Sequence, residues 1–264
     1  MSSAFQQKPA MATRSLAWTI ICFLVLPITI LFAVSLTDRS YLSLPAEHVS
    51  LQNYHKLFTS PQWLASIWQS FVIACASTAI AGTLGTLAAV GCWRIGTALA
   101  NMVRFAMLVP MMLPPIIYAL GAYQVWSDLG WINTYTGIIV AHSVTGIPYV
   151  IVTVSTALAG LDPRLEQAAR NLGAGIGQTL RHVILPNIRP GIVSGLVFAF
   201  IHSWDELVIV LFIAGRTVFT LPRKMWDGIN EALDPTMAAV ASVLILLTLA
   251  LFTLDLALRA RKKH

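Results

Sequence analysis

The residue types best able to do chemistry stand together at His202-Ser203-Trp204-Asp205-Glu206. They interrupt a stretch that is otherwise apolar: residues 190–204 contain no Asp, Glu, Lys or Arg. His202 lies three residues before Asp205 and four before Glu206, so on a helix at least one acid shares its face. The cost of the acids can be set against the favourable terms. Fourteen Leu, Ile, Val and Phe residues between 190 and 213 contribute roughly −4 to −8 kcal/mol to insertion in a bilayer, and two central acids oppose this by roughly +5 to +7. Such a helix inserts only beside other helices, with its acids turned inward. Two uses of the acids stay open at this point. They can lock helix packing through hydrogen bonds to His202 or Trp204, or they can line a solute path that favours cations. A proton relay through His142, His202, Asp205 and Glu206 is the mechanism a proton-coupled transporter would need.

A second constellation lies in the loop Leu161-Asp-Pro-Arg-Leu-Glu-Gln-Ala-Ala-Arg-Asn-Leu-Gly173, which continues to Val183-Ile-Leu-Pro186. Asp162 can cap a helix whose first residue is Pro163, because the carboxylate takes an orphan amide and proline has none to satisfy. Leu165, Ala169 and Leu172 then fall on one face, and Gly173 is placed to end the helix in a left-handed residue. A second short helix, about 176–183, is expected to stop before Pro186. The small residues Ala168, Ala169, Gly173, Gly175 and Gly177 leave room for a partner to approach closely.

The elements that position both groups are membrane spans. Of 264 residues 57% are hydrophobic and 11% charged, against about 25% charged in a soluble domain. No charged residue occurs in 15–37, 57–93, 105–127, 129–161, 190–204 or 235–254. Spans of about 20 apolar residues cross a bilayer as helices, which predicts an all-α membrane protein with six transmembrane helices, near 15–36, 66–93, 104–126, 134–159, 190–214 and 236–258. The first run reads as a retained span, because it contains Pro27 and lacks a small-residue cleavage site directly after it. Alternating the loops puts twelve Lys and Arg on one side and five on the other, which sets both termini in the cytoplasm. The net charge of +6 therefore reflects topology and requires no nucleic acid.

Several finer expectations follow. The second span, with Ala74, Ala76, Ser77, Ala79, Ala81, Gly82 and Gly85, should pack on several sides. Pro110, Pro114 and Pro115 should kink the third, and Gly146 with Pro148 the fourth. Cys22, Cys75 and Cys92 read as small buried hydrophobes. Trp63, Trp68, Trp126 and Trp131 read as interface anchors, and Asp255 can snorkel or meet Arg259. Asp227, Glu231 and Asp234 belong to an outside loop that is either solvated or available to a partner protein. No lysine follows a glycine, so there is no P-loop, and no Gly-x-Ser-x-Gly, His-Glu-x-x-His or Cys-x-x-Cys occurs. The chain is expected to catalyse nothing, to hold no metal and to bind no cofactor.

The loop motif is the specific signal. Gln167-Ala168-Ala169, three residues, Gly173, nine residues, then Val183-Ile184-Leu185-Pro186 resembles the EAA loop of inner-membrane permease subunits of binding-protein-dependent ABC importers. Gln167 stands where the motif has Glu, Val183 where it has Ile, and Glu166 lies one place earlier. The resemblance covers about residues 62–258, with 1–61 as an N-terminal tail, first span and periplasmic segment, and 259–264 as a basic tail. It implies a type I importer permease fold in a bacterial inner membrane and a coupling helix within 162–186. Docking on an ATPase partner would then use Glu166, Gln167, Ala168, Ala169, Gly173, Leu185 and Pro186. It also implies two ATP-binding subunits that carry ATP and Mg, a homologous permease partner, a periplasmic solute-binding protein and surrounding lipid. Ser203-Trp-Asp-Glu-Leu-Val-Ile with Thr220-Leu-Pro222 is similar to the spermidine/putrescine-type branch. That likeness implies a path for a polyamine or similar cationic amine past His202, Trp204, Asp205 and Glu206.

Overall fold

The computed structural model describes the backbone of residues 11–231 and 233–261; the side chains of Ala12, Leu254, Asp255, Leu256 and 258–261 are excepted. The expectations for Lys8, for an Asp255–Arg259 contact and for most of the basic tail lie outside the described residues. The helices are α1 (Met11–Ser35), α2 (Gln52–Thr59), α3 (Pro61–Ile95), α4 (Ala98–Ala106), α5 (Val109–Met112) and α6 (Pro115–Asp128). They continue as α7 (Tyr135–Ala159), α8 (Pro163–Asn171), α9 (Ile176–Thr179), a π turn over Leu180–Ile184, α10 (Leu185–Asp205), α11 (Val208–Ile213), α12 (Leu221–Glu231) and α13 (Thr236–Arg261). No strand occurs among the described residues.

Among the described residues five stretches are long and apolar enough to cross a membrane: Thr13–Ser35, Pro61–Ile95, Tyr135–Ala159, Ile176–Asp205 and Thr236–Thr253. The expected third span, 104–126, is not one such helix but is divided among α4, α5 and α6. The prolines cause the division. Leu113 precedes Pro114, and Pro114 precedes Pro115; both take extended backbone, with ψ of 137° and 134°, because a residue before proline is excluded from the helical region. Pro115 then starts α6 at the first helical position, where its missing N–H costs nothing. Pro27, Pro148 and Pro190 lie inside continuing helices.

Residues Ala65–Lys224 form one compact unit, and the flanking segments form another. In the 65–224 unit α7 and α10 are the central pair. Gly191 and Gly195 share one face of α10, one turn apart. A Cβ at Gly191 would lie 2.6 Å from Ala157 Cβ and 2.8 Å from the Thr153 carbonyl; one at Gly195 would lie 2.9 Å from Val150 Cα. Neither position has room for a side chain, so the two backbones meet as small-residue faces meet in lipid. Val150, Val154, Leu158, Ile184, Ile188 and Ala199 fill the seam together with Ala81, Ala89 and Val90 of α3. The small-residue reading of α3 holds for one stripe: Ala74, Ser77, Ala81, Gly82, Gly85 and Ala89 are buried, whereas Ala79 is exposed. A second cluster gathers Ile73, Ala119, Ile138, Ala141, Ile209, Val210 and Ile213 from α3, α6, α7 and α11.

In the flanking unit α13 lies against α1 and α2. Asn53 donates to the carbonyls of Ser35 and Thr37, both at 3.2 Å, and the hydroxyls of Ser35 and Tyr54 bond at 2.7 Å. These bonds fasten the end of α1 to α2. Three expectations are corrected here. Cys22 and Cys75 are exposed and Cys92 half-buried, all free: Cys75 lies off the buried stripe of α3, and the described α1 side chains around Cys22 are exposed on every side. Trp63 is buried, at 2% exposure, and does not anchor at an interface. The segment after Gly175 does not stop before Pro186: a π turn carries it into α10, and Pro186 follows directly after that turn, in the first turn of α10.

Candidate functional site

Most of the chemistry-bearing side chains gather where α10 ends. The helix stops at Asp205, and Glu206 takes extended backbone with ψ 117°. The Glu206 carboxylate is buried and accepts the amide of Ile209 at 3.1 Å, closing the first turn of α11. The acid thus sits at a break between helices and replaces a backbone partner that the break removes. His202, one turn earlier, bonds through Nε2 to the hydroxyl of Thr145 at 2.9 Å. The Thr145 hydroxyl also lies within hydrogen-bond distance of the carbonyls of His142, at 3.2 Å, and Ala141, at 3.4 Å. The Tyr149 ring lies 5.0 Å from the His202 ring, and the Tyr118 hydroxyl donates to the Ala141 carbonyl at 3.1 Å.

Tyr118, Thr145, Tyr149, His202 and Glu206 line a cleft of about 270 Å³ together with Pro110, Met111 and Pro115 of the broken segment. One carboxylate, two aromatic rings and a histidine in a cleft of mixed polar and apolar lining suit an ammonium group: the acid supplies charge, and a ring face turned to the cation would add cation–π attraction. The residues singled out earlier divide. His202 and Glu206 line the cleft. Asp205 is exposed at the last residue of α10, and Trp204 stacks on Phe200 at 5.9 Å, in a row continuing through Phe71 to Trp68. His142 is buried behind Thr145 and outside the cleft lining, and bonds through Nδ1 to Ser203 at 2.8 Å, with Ser77 donating to the same Ser203 oxygen at 2.9 Å. Of the four members of the proton relay, two line the cleft and two, His142 and Asp205, do not. Tyr118, Thr145 and Tyr149 were missed. The spacing of His142, Thr145 and Tyr149, three then four, is a polar stripe in an uncharged span and could have found two of them.

The motif loop leaves the bundle as two short helices. Asp162 caps α8 through the Arg164 amide at 2.9 Å. Gly173, at φ +85°, ends it, with the Gly173 and Ala174 amides bonded back to Arg170 and Ala169. Leu172 is 89% exposed, with Leu165 and Ile176 also exposed. A depression of about 270 Å³ beside them is lined by Ala169, Leu172, Thr179 and Val183. Gln167 and Ala168 are exposed, Leu185 is half-buried and Pro186 exposed. Glu166 is paired with Arg94 of α3, Nη2 to Oε1 at 2.9 Å.

The flanking unit holds a polar cavity of about 590 Å³ lined by Asp38, Arg39, Tyr41, Asn53, Lys56 and Asp234. Burial works to raise the Asp234 pKa, but hydrogen bonds from Lys56 and Thr236 and the Lys56 charge outweigh it and hold the carboxyl below its usual value. Asp38 is lowered too, chiefly by the Ala46 amide. Asp38, Glu47 and His48 bring one possible metal-ligand atom each within 4.8 Å of one another. Both Asp38 oxygens already accept amides, those of Ala46 and Glu47, so this carboxylate serves to fold the loop. Asp227 and Glu231 lie on α12 and not in an open loop.

Comparison with known proteins gives three findings. The sequence model of the family described as "Binding-protein-dependent transport system inner membrane component" matches residues 81–264. The spermidine/putrescine transport system permease protein PotC of Haemophilus influenzae is 28% identical over 247 residues, 94% of this chain and 96% of that protein. The putrescine transport system permease protein PotI of Escherichia coli K12 is 31% identical over 199 residues, 73% of this chain and 71% of that protein. Among solved structures, a crystal structure of a bacterial ABC transporter that imports alginate superposes with a TM-score of 0.63 at 14% identity, covering 94% of each chain. That likeness shows a shared fold.

Proposed function

The chain belongs to the family of binding-protein-dependent transport system inner membrane components, and from that premise we propose that it is the permease subunit of an ATP-driven importer for a polyamine or similar cationic amine. Its relatives are permease subunits and not enzymes, and it is a multi-pass membrane protein. On this reading α1, α3, α7, Ile176–Asp205 continued by α11, and α13 cross the membrane. The broken segment α4 to α6 supplies a sixth crossing, and both termini face the cytoplasm. Residues 62–258 form the transmembrane domain, which pairs with a homologous permease on two ATP-binding subunits and receives solute from a periplasmic binding protein.

The observation that carries the solute class is Glu206: a buried carboxylate beside Tyr118, Tyr149 and His202, in a chain similar to polyamine permeases. A lone buried acid is costly in a membrane protein unless its charge is used. Coupling is supported by the exposed apolar side chains of Leu165, Leu172 and Ile176 on a loop whose small residues admit a partner. ATPase closure would push on 162–186 and switch the bundle between outward-open and inward-open states.

Affinity purification of the tagged chain from its native membrane, followed by mass spectrometry, tests the assembly. Uptake of labelled spermidine by the reconstituted complex tests the solute, with an uncharged disaccharide as control. The proposal requires ATP-binding subunits among the partners and uptake that depends on ATP and survives an uncoupler. Uptake that collapses with the uncoupler at constant ATP, or that prefers the disaccharide, refutes it.

A further inference from the structure

Resting on the coupling reading above, we infer that Arg94 and Glu166 form an internal strut that positions the coupling helix, so that the loop's carboxylate acts within this chain and not on the ATPase. Glu166 precedes the position at which the loop motif places its acid, and successive residues on a helix point about 100° apart. Gln167, in the motif's position, is exposed and lines a depression with Trp93 and Arg94, and the one-residue shift turns the Glu166 carboxylate toward α3. There it meets Arg94 at 2.9 Å, with the two side chains 27% and 19% exposed.

The position of each charge favours the pair. Arg94 occupies the last turn of α3 and Glu166 the first turn of α8. A cation at a helix C-terminus and an anion at a helix N-terminus are each stabilised by the local backbone dipoles. The bond joins residues 72 apart in sequence. It therefore adds a side-chain tie between α8 and a membrane-spanning helix, beyond the chain connections at Leu161 and at the left-handed Gly173. α8 also packs on α9 and on the π turn, which lead into α10, so without this tie a push on α8 is directed to α10. With it, the push reaches α3. Arg94 and Glu166 are positioning residues in this scheme, since neither touches solute or nucleotide.

The test uses the full complex reconstituted in proteoliposomes, with Arg94→Gln, Glu166→Gln and the exchanged pair Arg94→Glu with Glu166→Arg. Three quantities are read: co-purification of the ATPase, ATP hydrolysis and solute uptake. Each single variant is expected to keep the ATPase bound and hydrolysing while uptake falls about ten-fold, and the exchanged pair, whose charges oppose both helix dipoles, to recover uptake part-way, above either single variant. Unchanged uptake in the single variants overturns the inference. So does loss of the ATPase from Glu166→Gln, since that is the signature of a carboxylate acting across the interface. If the single variants fail to insert, the exchanged pair decides: insertion with uptake supports the strut, and failure of either overturns it. Wild-type protein that holds no ATPase would instead sink the coupling reading itself, so the two failures are distinct.

Discussion

Replacing Gly195 by alanine should weaken the α7–α10 pair by an amount that the structure allows to be estimated. The new Cβ would sit 2.5 Å from Thr153 Oγ1 and 2.9 Å from Val150 Cα, where ordinary contact begins near 3.4 Å. The Thr153 hydroxyl bonds to the carbonyls of Tyr149 and Val150 at 3.1 Å, so rotating it away breaks those bonds, and Val150 Cα is backbone and cannot rotate. The helices must part by about 0.5 Å, a gap that forfeits a quarter or more of each dispersion contact along the seam. In lipid no hydrophobic transfer term compensates, because association rests on packing. The expected cost is about 2 kcal/mol, within the usual range for overpacking. That should lower the unfolding midpoint of the detergent-solubilised protein by about 4–8 °C. Gly91→Ala is the control: its Cβ meets nothing within 4 Å, so the helix gains about 0.5–1 kcal/mol and the midpoint rises. A Gly195→Ala midpoint within a degree of wild type, or two alanines equally destabilising, would refute the reasoning.

Three further outcomes are expected. Gly173→Val must adopt φ near +85°, where a β-branched residue is strained by about 1–3 kcal/mol; membrane insertion should persist while co-purification with the ATPase is lost, and retained ATPase binding with normal uptake counts against the docking assignment. Glu206→Gln keeps an oxygen for the Ile209 amide but removes the charge, so uptake of a cationic solute should fall at least ten-fold, about 1.4 kcal/mol. The exposed Asp205→Asn should leave uptake near wild type, and normal uptake in the double variant sinks the cation path. The Asp234 carboxyl, whose pKa is lower folded than unfolded, stabilises its segment above the unfolded value and loses that contribution as pH falls through the folded one. Exchange of the Thr236 amide, which Asp234 accepts at 3.0 Å, corrected for intrinsic chemistry, should therefore be flat above about pH 5 and rise below the ordinary carboxylate range. Asp234→Asn should abolish the rise; an unaltered profile contradicts the assignment.

Hydropathy made α1, α3, α7 and α13 legible, because each buries or exposes apolar surface over a continuous run. The cap at Asp162 and the stop at Gly173 were legible for a different reason: both follow from local backbone geometry that these residue types satisfy. Averaging over a window hides the division at 107–114. Apolar content is uniform there, and only the rule against helix before consecutive prolines reveals the extended Leu113. The end of α10 carried no such signal. Neither proline nor glycine stands at Glu206, and the helix stops because a side chain caps the next one, a contact visible only in three dimensions. The cleft was half legible for the same reason. Its acid and histidine stand out as rare charges in an apolar run, whereas Tyr118 and Tyr149 look like ordinary span residues until the fold brings them alongside.

The run from Ile176 through the π turn to Asp205 is unbroken over 30 residues, a rod about 45 Å long at 1.5 Å per residue. One end lies beside the proposed docking face and the other one residue short of Glu206. If the rod moves as one body, its two ends are thermodynamically linked. If nucleotide-driven closure alters how strongly the cleft holds an ammonium group, occupancy of the cleft alters ATPase closure by the same factor. A solute that fills the site should then be measurable as a change in nucleotide affinity on the far side of the membrane, before any of it has crossed.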